Sequence, residues 1–118
     1  MAYTEKFQAL AEQAQAKVEP VSAADVDALM TQGAVALDIR DKEEHDAGHI
    51  DGSINISRGK LEMNVEGSLP DLDVQILCYC NANNRGALSA AALKDMGYKN
   101  AHYVAGGLNA YRNLKTIA

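Results

Sequence analysis

Apolar positions change their spacing several times along this chain, and each change marks an element. Over residues 4–17, Phe7, Leu10, Ala14 and Val18 recur at helical spacing with Glu5, Lys6, Glu12, Gln13 and Lys17 between them. This predicts an amphipathic helix, opened by Thr4, whose stripe covers the sheet. Glu19-Pro20-Val21 reads as a short extended piece. Ser22-Ala23-Ala24-Asp25 starts a second helix in capping-box style, with Val26, Leu29 and Met30 inward and Gly33 at its end. Ala34 to Arg40 is a nearly continuous apolar run, the pattern of a strand buried on both faces. Asp41 caps a short helix from Lys42 to Ala47, Glu44 reaches back to the cap, and Gly48 ends it.

Gly48 to Ser53 is rich in turn residues and leads into a brief strand, Ile54-Asn55-Ile56. Ser57 to Met63 predicts a short helix, and Asn64 to Asp73 a polar loop containing Pro70. Val74 to Tyr79 alternates as a buried strand. Ala87 to Met96 follows as a helix with Leu88, Ala92 and Met96 on one face, stopped by Gly97. Ala101 to Val104 makes a last strand, and Gly106-Gly107 breaks into a closing helix, Leu108 to Leu114. Alternating strands and helices imply an α/β domain, a parallel sheet covered by helices on both faces.

At 118 residues the chain makes one domain with a single core. Its net charge of −5 argues against nucleic acid or an anionic membrane as partner, and an anionic substrate needs a local positive pocket. No apolar run approaches the roughly 18 residues of a membrane span. The N-terminus does not read as a signal peptide, so a cytoplasmic location is expected.

The chemistry concentrates at the end of the fourth apolar run. Cys80 closes that strand, Asn81, Ala82, Asn83 and Asn84 form a tight loop, and Arg85 precedes a helix. Open parallel sheets place their reactive groups at such carboxyl ends. Successive loop amides, a helix start carrying roughly half a positive charge, and the Arg85 guanidinium together favour a thiolate without a partner base. Cys78 lies two residues earlier on the same face, about 6.6 Å away in an extended strand, and reads as a core thiol. His45, His49 and His102 are scattered, so neither a metal site nor a cofactor is implied. Arg58, after the short strand, is placed to guide an anion at the pocket mouth. Asp38 and Arg40, at the end of the second apolar run, are read as supports that orient loops through hydrogen bonds. His49 reads as a turn residue, and His45 and His102 have no evident partner.

Three blocks in order resemble the single-domain rhodaneses, the thiosulfate sulfurtransferase family. The first runs from Leu37-Asp38-Ile39-Arg40 and Glu44 through Gly48-His49-Ile50-Asp51-Gly52-Ser53-Ile54-Asn55-Ile56. The second is Tyr79-Cys80 to Arg85. The third is Tyr103-Val104-Ala105-Gly106-Gly107-Leu108-Asn109-Ala110-Tyr111, with Tyr111 where the family more often has tryptophan. The resemblance covers about residues 18–115. It implies a rhodanese-like domain over 18–118, a five-stranded parallel sheet flanked by helices, with residues 1–17 as a helix packed on it.

By the same resemblance, the Cys80 thiolate takes the outer sulfur of thiosulfate, or of a persulfide donor, and holds it as a persulfide among the amides of Asn81 to Arg85. Cyanide, a thiol or a protein acceptor then removes it. The family usually has glycine at the position of Asn83, so a left-handed backbone is expected there, and Gly86 replaces the usual serine or alanine. These two departures keep a weak sulfur carrier or binding module in view. A phosphatase or arsenate reductase is a further alternative, because related folds use a cysteine–arginine loop one residue longer. The six residues from Cys80 to Arg85 favour sulfur over a tetrahedral oxyanion.

Overall fold

Each apolar run becomes a strand of one sheet. The computed structural model describes residues 3–116. Within them Pro20–Val21 (β1), Val35–Asp38 (β2), Ile54–Asn55 (β3), Ile76–Tyr79 (β4) and Ala101–Val104 (β5) form a five-stranded sheet in the order β1-β5-β4-β2-β3. Every pairing is parallel, as the strand–helix alternation requires. β4 is central, and its register with β2 sets Val35 opposite Ile76 and Asp38 opposite Tyr79. Both strands therefore finish side by side, and the loops that follow them meet.

Side-chain alternation along β4 divides the core in two. Ile76, Cys78 and, beyond the strand, Cys80 face a cluster built with Leu37, Ile39 and Tyr103. Helices Glu5–Lys17 (α1), Leu61–Ser68 (α4) and Asn84–Asp95 (α5) add Ala14, Leu61, Val65, Ala87, Ala90 and Leu93 to it. Leu77 and Tyr79 face the opposite way, toward Ala36, Ile50 and Val104. There Val26 of Val26–Thr31 (α2) and Leu108 of Gly107–Thr116 (α6) close the other side. Lys42–Ala47 (α3) connects β2 to β3 and buries none of its residues.

The observed elements depart from the sequence reading at four points. α1 packs on α5 rather than directly on the sheet. Its buried positions are Ala11 and Ala14, while Leu10, expected inward, is 57% exposed. Two alanine-rich helices approach closely, so small side chains fill the contact and the bulkier leucine turns out. The segment expected to open the second helix is a short 3-10 turn, Ala23–Asp25, with Ser22 Oγ accepting from Ala24 N at 3.2 Å. α4 runs on to Ser68 through the expected polar loop, because Leu61 and Val65 are fully buried one turn apart and Leu69 packs on the same cluster. Finally, α5 begins at Asn84, three residues before Ala87, so Arg85 and Gly86 lie in its first turn. Among the described residues no helix is long and apolar enough to cross a membrane.

Candidate active site

Cys80 follows β4 directly and is 3% exposed. Asn81, Ala82 and Asn83 carry the chain into α5, whose first intrahelical bond runs from Ala87 N to Asn83 O at 2.9 Å. The N–H groups of Asn83, Asn84, Arg85 and Gly86 thus precede the helical ladder and lack acceptors within it. That of Gly86 is directed at Cys80 Sγ, 3.4 Å away. The loop carbonyls turn to the opposite side, where Cys80 O accepts from Leu108 N at 2.8 Å and Asn81 O from Asn109 N at 3.1 Å. The first turn of α6 therefore holds the acceptors of the loop from behind, on the side away from the Gly86 amide that meets the sulfur. Gly107 makes this possible. Its φ is +56°, and a Cβ there would lie against the carbonyl oxygens of Cys80 and Ala82.

The left-handed backbone expected at position 83 does not occur. Asn83 has φ −117° and ψ −38°, and no described residue other than glycine has a positive φ. Asn83 serves through its side chain, Oδ1 accepting from Gly106 N at 2.7 Å. It ties the loop to the turn between β5 and α6. At Gly86 an added Cβ would meet Cys78 O at 3.3 Å and Tyr79 Cα at 3.5 Å, so glycine lets α5 start close against the end of β4.

A network of charges braces the loop from the β2 side. Asp38, fully buried, accepts from Arg40 Nη2 at 2.7 Å, Arg40 Nε at 2.9 Å and Arg40 N at 3.0 Å. Arg40 passes this support on, with Nη1 donating to Asn81 Oδ1 at 3.2 Å and Nη2 to Gly48 O at 2.7 Å. Burial pushes the Asp38 carboxyl up, but the hydrogen bonds from Arg40 and His45 outweigh it and hold the group below the ordinary carboxylate range. Glu44 accepts from Asp41 N at 3.0 Å, as the cap reading requires, and also binds both Nη groups of Arg85 at 3.0 and 3.1 Å. The Arg85 fork lowers the Glu44 carboxyl, and Glu44 raises the Arg85 guanidinium in turn. Arg85 thus meets the loop already paired.

Other residues singled out in the sequence lie as follows. Arg58 pairs with Glu62 at 2.7 Å and is not in the lining of the cavity over Cys80. Cys78 is wholly buried, and burial pushes its thiol up, which keeps it a neutral core residue. His49 Nδ1 lies 2.7 Å from His45 O, and the two imidazoles stack at 3.7 Å between centroids. His45 has the partner that the sequence did not reveal, Asp38 Oδ2 at 2.9 Å. His102 Nδ1 lies 3.1 Å from Glu19 O at the edge of the sheet. Tyr79 was also missed. Its buried hydroxyl accepts from Ile50 N at 3.2 Å and lies 2.8 Å from Ser53 Oγ, which fixes the turn after α3. Among the described residues no cluster of His, Cys, Asp and Glu is arranged to hold a metal ion.

A cavity of about 210 Å³ opens over Cys80, and two of its walls come from unexpected places. The loop supplies Asn81, Ala82, Asn84 and Arg85, while Tyr3 and Phe7 reach over from the N-terminal segment. The two rings contact each other at 5.1 Å between centroids with a 52° tilt. Gln15 Nε2 donates to Asn84 Oδ1 at 3.2 Å, a second tie between α1 and the site. Nothing in the spacing of Tyr3 and Phe7 separates them from ordinary helix-stripe residues, so the sequence held no signal for this role. A larger cavity, about 450 Å³, lies between Pro20–Ala24 and the α6 residues Ala110 and Leu114. Its lining has no cysteine, and its one hydroxyl, Ser22 Oγ, accepts from Ala24 N, so the cavity over Cys80 is the candidate site.

Comparison with known proteins follows the same outline. The family model described as rhodanese-like domain matches residues 22–114. Thiosulfate sulfurtransferase GlpE of Pseudomonas entomophila is 33% identical over 86 residues, which is 73% of this chain and 77% of the relative. Thiosulfate sulfurtransferase PspE of Escherichia coli is 31% identical over 72 residues, 61% of this chain and 68% of the relative. Among solved structures, a protein of unknown function from Rhodopseudomonas palustris, described as a possible tyrosine phosphatase, superposes with a TM-score of 0.85 at 30% identity. That match covers 98% of this chain and 95% of the other. A human single-domain sulfurtransferase superposes with a TM-score of 0.71 at 25% identity, covering 80% of this chain and 95% of the other.

Proposed function

This chain belongs to the rhodanese-like domain family, and on that premise we propose that it is a sulfurtransferase working through a persulfide on Cys80. The Cys80 thiolate attacks the outer sulfur of thiosulfate or of an organic persulfide. The donor's S–S bond breaks, sulfite or a thiolate leaves with the electron pair, and the transferred sulfur stays on Cys80. A thiol, cyanide or a protein acceptor then attacks that outer sulfur and returns the electron pair to Cys80 Sγ. This is double displacement at an ionised nucleophile, and it needs no general base and no cofactor.

The observation that carries the reading is the one-sided loop. Gly86 N–H is directed at Sγ, further amides at the start of α5 lie free of the helical ladder, and the neighbouring carbonyls are drawn away toward α6. Donors fixed in this way stabilise charge on sulfur without reorganising. Asn81 and Asn83 fasten the loop, Ala82 and Asn84 line the cavity, and Arg40 and Asp38 brace Asn81 from behind. With Arg58 paired to Glu62, an anion-guiding part for it is confined to long-range attraction. The buried, unbridged cysteines and the net charge of −5 suit a reducing cytoplasm and small-molecule or protein sulfur partners, not nucleic acid or membrane.

The likeness to a possible tyrosine phosphatase keeps one competing chemistry worth testing. A phosphate ester needs amides around several oxygens of a tetrahedral centre, whereas a persulfide presents one outer sulfur, which a six-residue loop suits better. Purified protein is assayed on thiosulfate with cyanide and, separately, on an aryl phosphate, with Cys80→Ser alongside. Thiocyanate formation that disappears in the variant is expected, with no phosphate release. Phosphate release that depends on Cys80 contradicts the proposal.

A further inference from the structure

The aromatic wall over Cys80 carries a second conclusion, which rests on the sulfurtransferase reading and narrows its substrates. We infer that Tyr3 and Phe7 select the organic sulfur partner of Cys80, a small thiol and persulfide couple whose carbon body is apolar. Several observations converge on this. The two rings lie against one another and line the same cavity as Cys80. They belong to a segment outside residues 22–114, the stretch the family model matches, so the wall is an addition to the domain. The segment is anchored, not loosely draped. Thr4 Oγ1 accepts from Phe7 N at 3.2 Å, Ala11 is fully buried, and Gln15 holds Asn84.

The electrostatics point the same way. Among the described residues that line the cavity, Arg85 is the sole cation, and both its Nη groups are bound to Glu44. A dianion entering a protein of net charge −5 meets a cation already paired there and has only the loop amides to receive it. An uncharged body loses nothing by that pairing and gains apolar contact with the two rings and the Ala82 methyl. Tyr3 is 60% exposed, which leaves one ring partly uncovered at the mouth for an incoming group. A volume of about 210 Å³ limits that group to roughly the size of one ring and its thiol, below the range of drug-sized pockets.

The step at issue is the second displacement. The thiolate of the partner attacks the outer sulfur of the Cys80 persulfide, a new S–S bond forms on the partner, and the old one breaks with its electron pair returning to Cys80 Sγ. The proton that the partner's thiol gives up passes to the outer sulfur, so the partner leaves as a persulfide. Contact between its carbon body and Phe7 orients the attacking sulfur along that bond.

The test loads the full chain with thiosulfate, removes the excess, and follows loss of the persulfide on adding benzyl mercaptan or 2-mercaptoethanol. Wild type is expected to react faster with benzyl mercaptan. In Phe7→Ala the ratio of the two rates is expected to fall about tenfold, the order of a lost aromatic contact. Phe7→Leu, which keeps apolar bulk, is expected to retain most of the preference. Should Phe7→Ala loosen α1 by circular dichroism, Tyr3→Ala, which lies before the helix, carries the comparison. A wild-type ratio near one, or a ratio unchanged in both alanine variants, overturns the inference while leaving the sulfurtransferase reading intact. Failure of wild type to form any persulfide overturns that reading and the inference with it.

Discussion

Asn83 shows how a residue type can be read correctly as unusual and wrongly as to cause. Asparagine in place of the family's usual glycine suggested a left-handed backbone, yet its φ is −117° and its side chain instead accepts from Gly106 N. No sequence signal separates the two cases, because asparagine is both the best left-handed substitute for glycine and a good acceptor for a backbone amide. The two cases differ in what Asn83→Gly does. On the observed geometry the change removes a hydrogen bond and adds backbone freedom, so a loss of about 1–2 kcal/mol is expected in a urea titration. Equal or greater stability in the variant contradicts the tether. The position of Cys80 was legible at the same scale, since it closes an apolar run and stands just ahead of a helix, at the carboxyl end of a central parallel strand. The partners of Arg85 and Asp38 were not, because Glu44 and His45 sit 41 and 7 residues away and only the fold brings them near.

At the scale of elements, the candidate site is one loop held between the starts of two helices. α5 directs the Gly86 amide at the sulfur, and α6 withdraws the carbonyls behind it. Gly106-Gly107 was visible in the sequence as a break before a closing helix, but the reason for it was not. The second glycine lets the α6 backbone reach the carbonyls of Cys80 and Ala82. Gly107→Ala therefore combines a positive φ with a direct clash against backbone that has no side-chain freedom to yield. A loss of about 3 kcal/mol or more, or failure to fold, is expected by thermal unfolding. A variant within about 0.5 kcal/mol of wild type would mean that α6 does not hold the loop from behind. The one element boundary that mattered, α5 at Asn84 rather than Ala87, was hidden because asparagine and glycine are weak helix formers. Their place in the first turn is set by the loop, not by propensity. Tyr111 illustrates the reverse case, in which its hydroxyl donates to Asp27 Oδ1 at 2.7 Å and ties α6 to α2. A tryptophan there would have no hydroxyl to offer.

For the whole molecule, the parallel sheet was legible because β2 and β4 are apolar on both faces, a pattern that demands helices on either side. The place of α1 was not, since an alanine-rich stripe says that a helix packs and not on what. The charge network behind the loop also gives the fold a pH dependence. Asp38 and Glu44 both titrate below their ordinary range, so the stability they contribute is present above the unfolded carboxylate values, about 4, and is lost as pH falls through their lowered folded values. Denaturation midpoints measured from pH 6 downward are expected to decline in that window, with a shallower decline in Glu44→Gln. An equal slope in the variant would remove Glu44 from the network's effect. The central claim concerns one atom, Cys80 Sγ, and intact mass spectrometry after thiosulfate treatment addresses it most directly. Wild type and Cys78→Ser are each expected to gain the mass of one sulfur, reversible by a thiol, and Cys80→Ser none. An added sulfur that persists in Cys80→Ser and vanishes in a folded Cys78→Ser would contradict the claim.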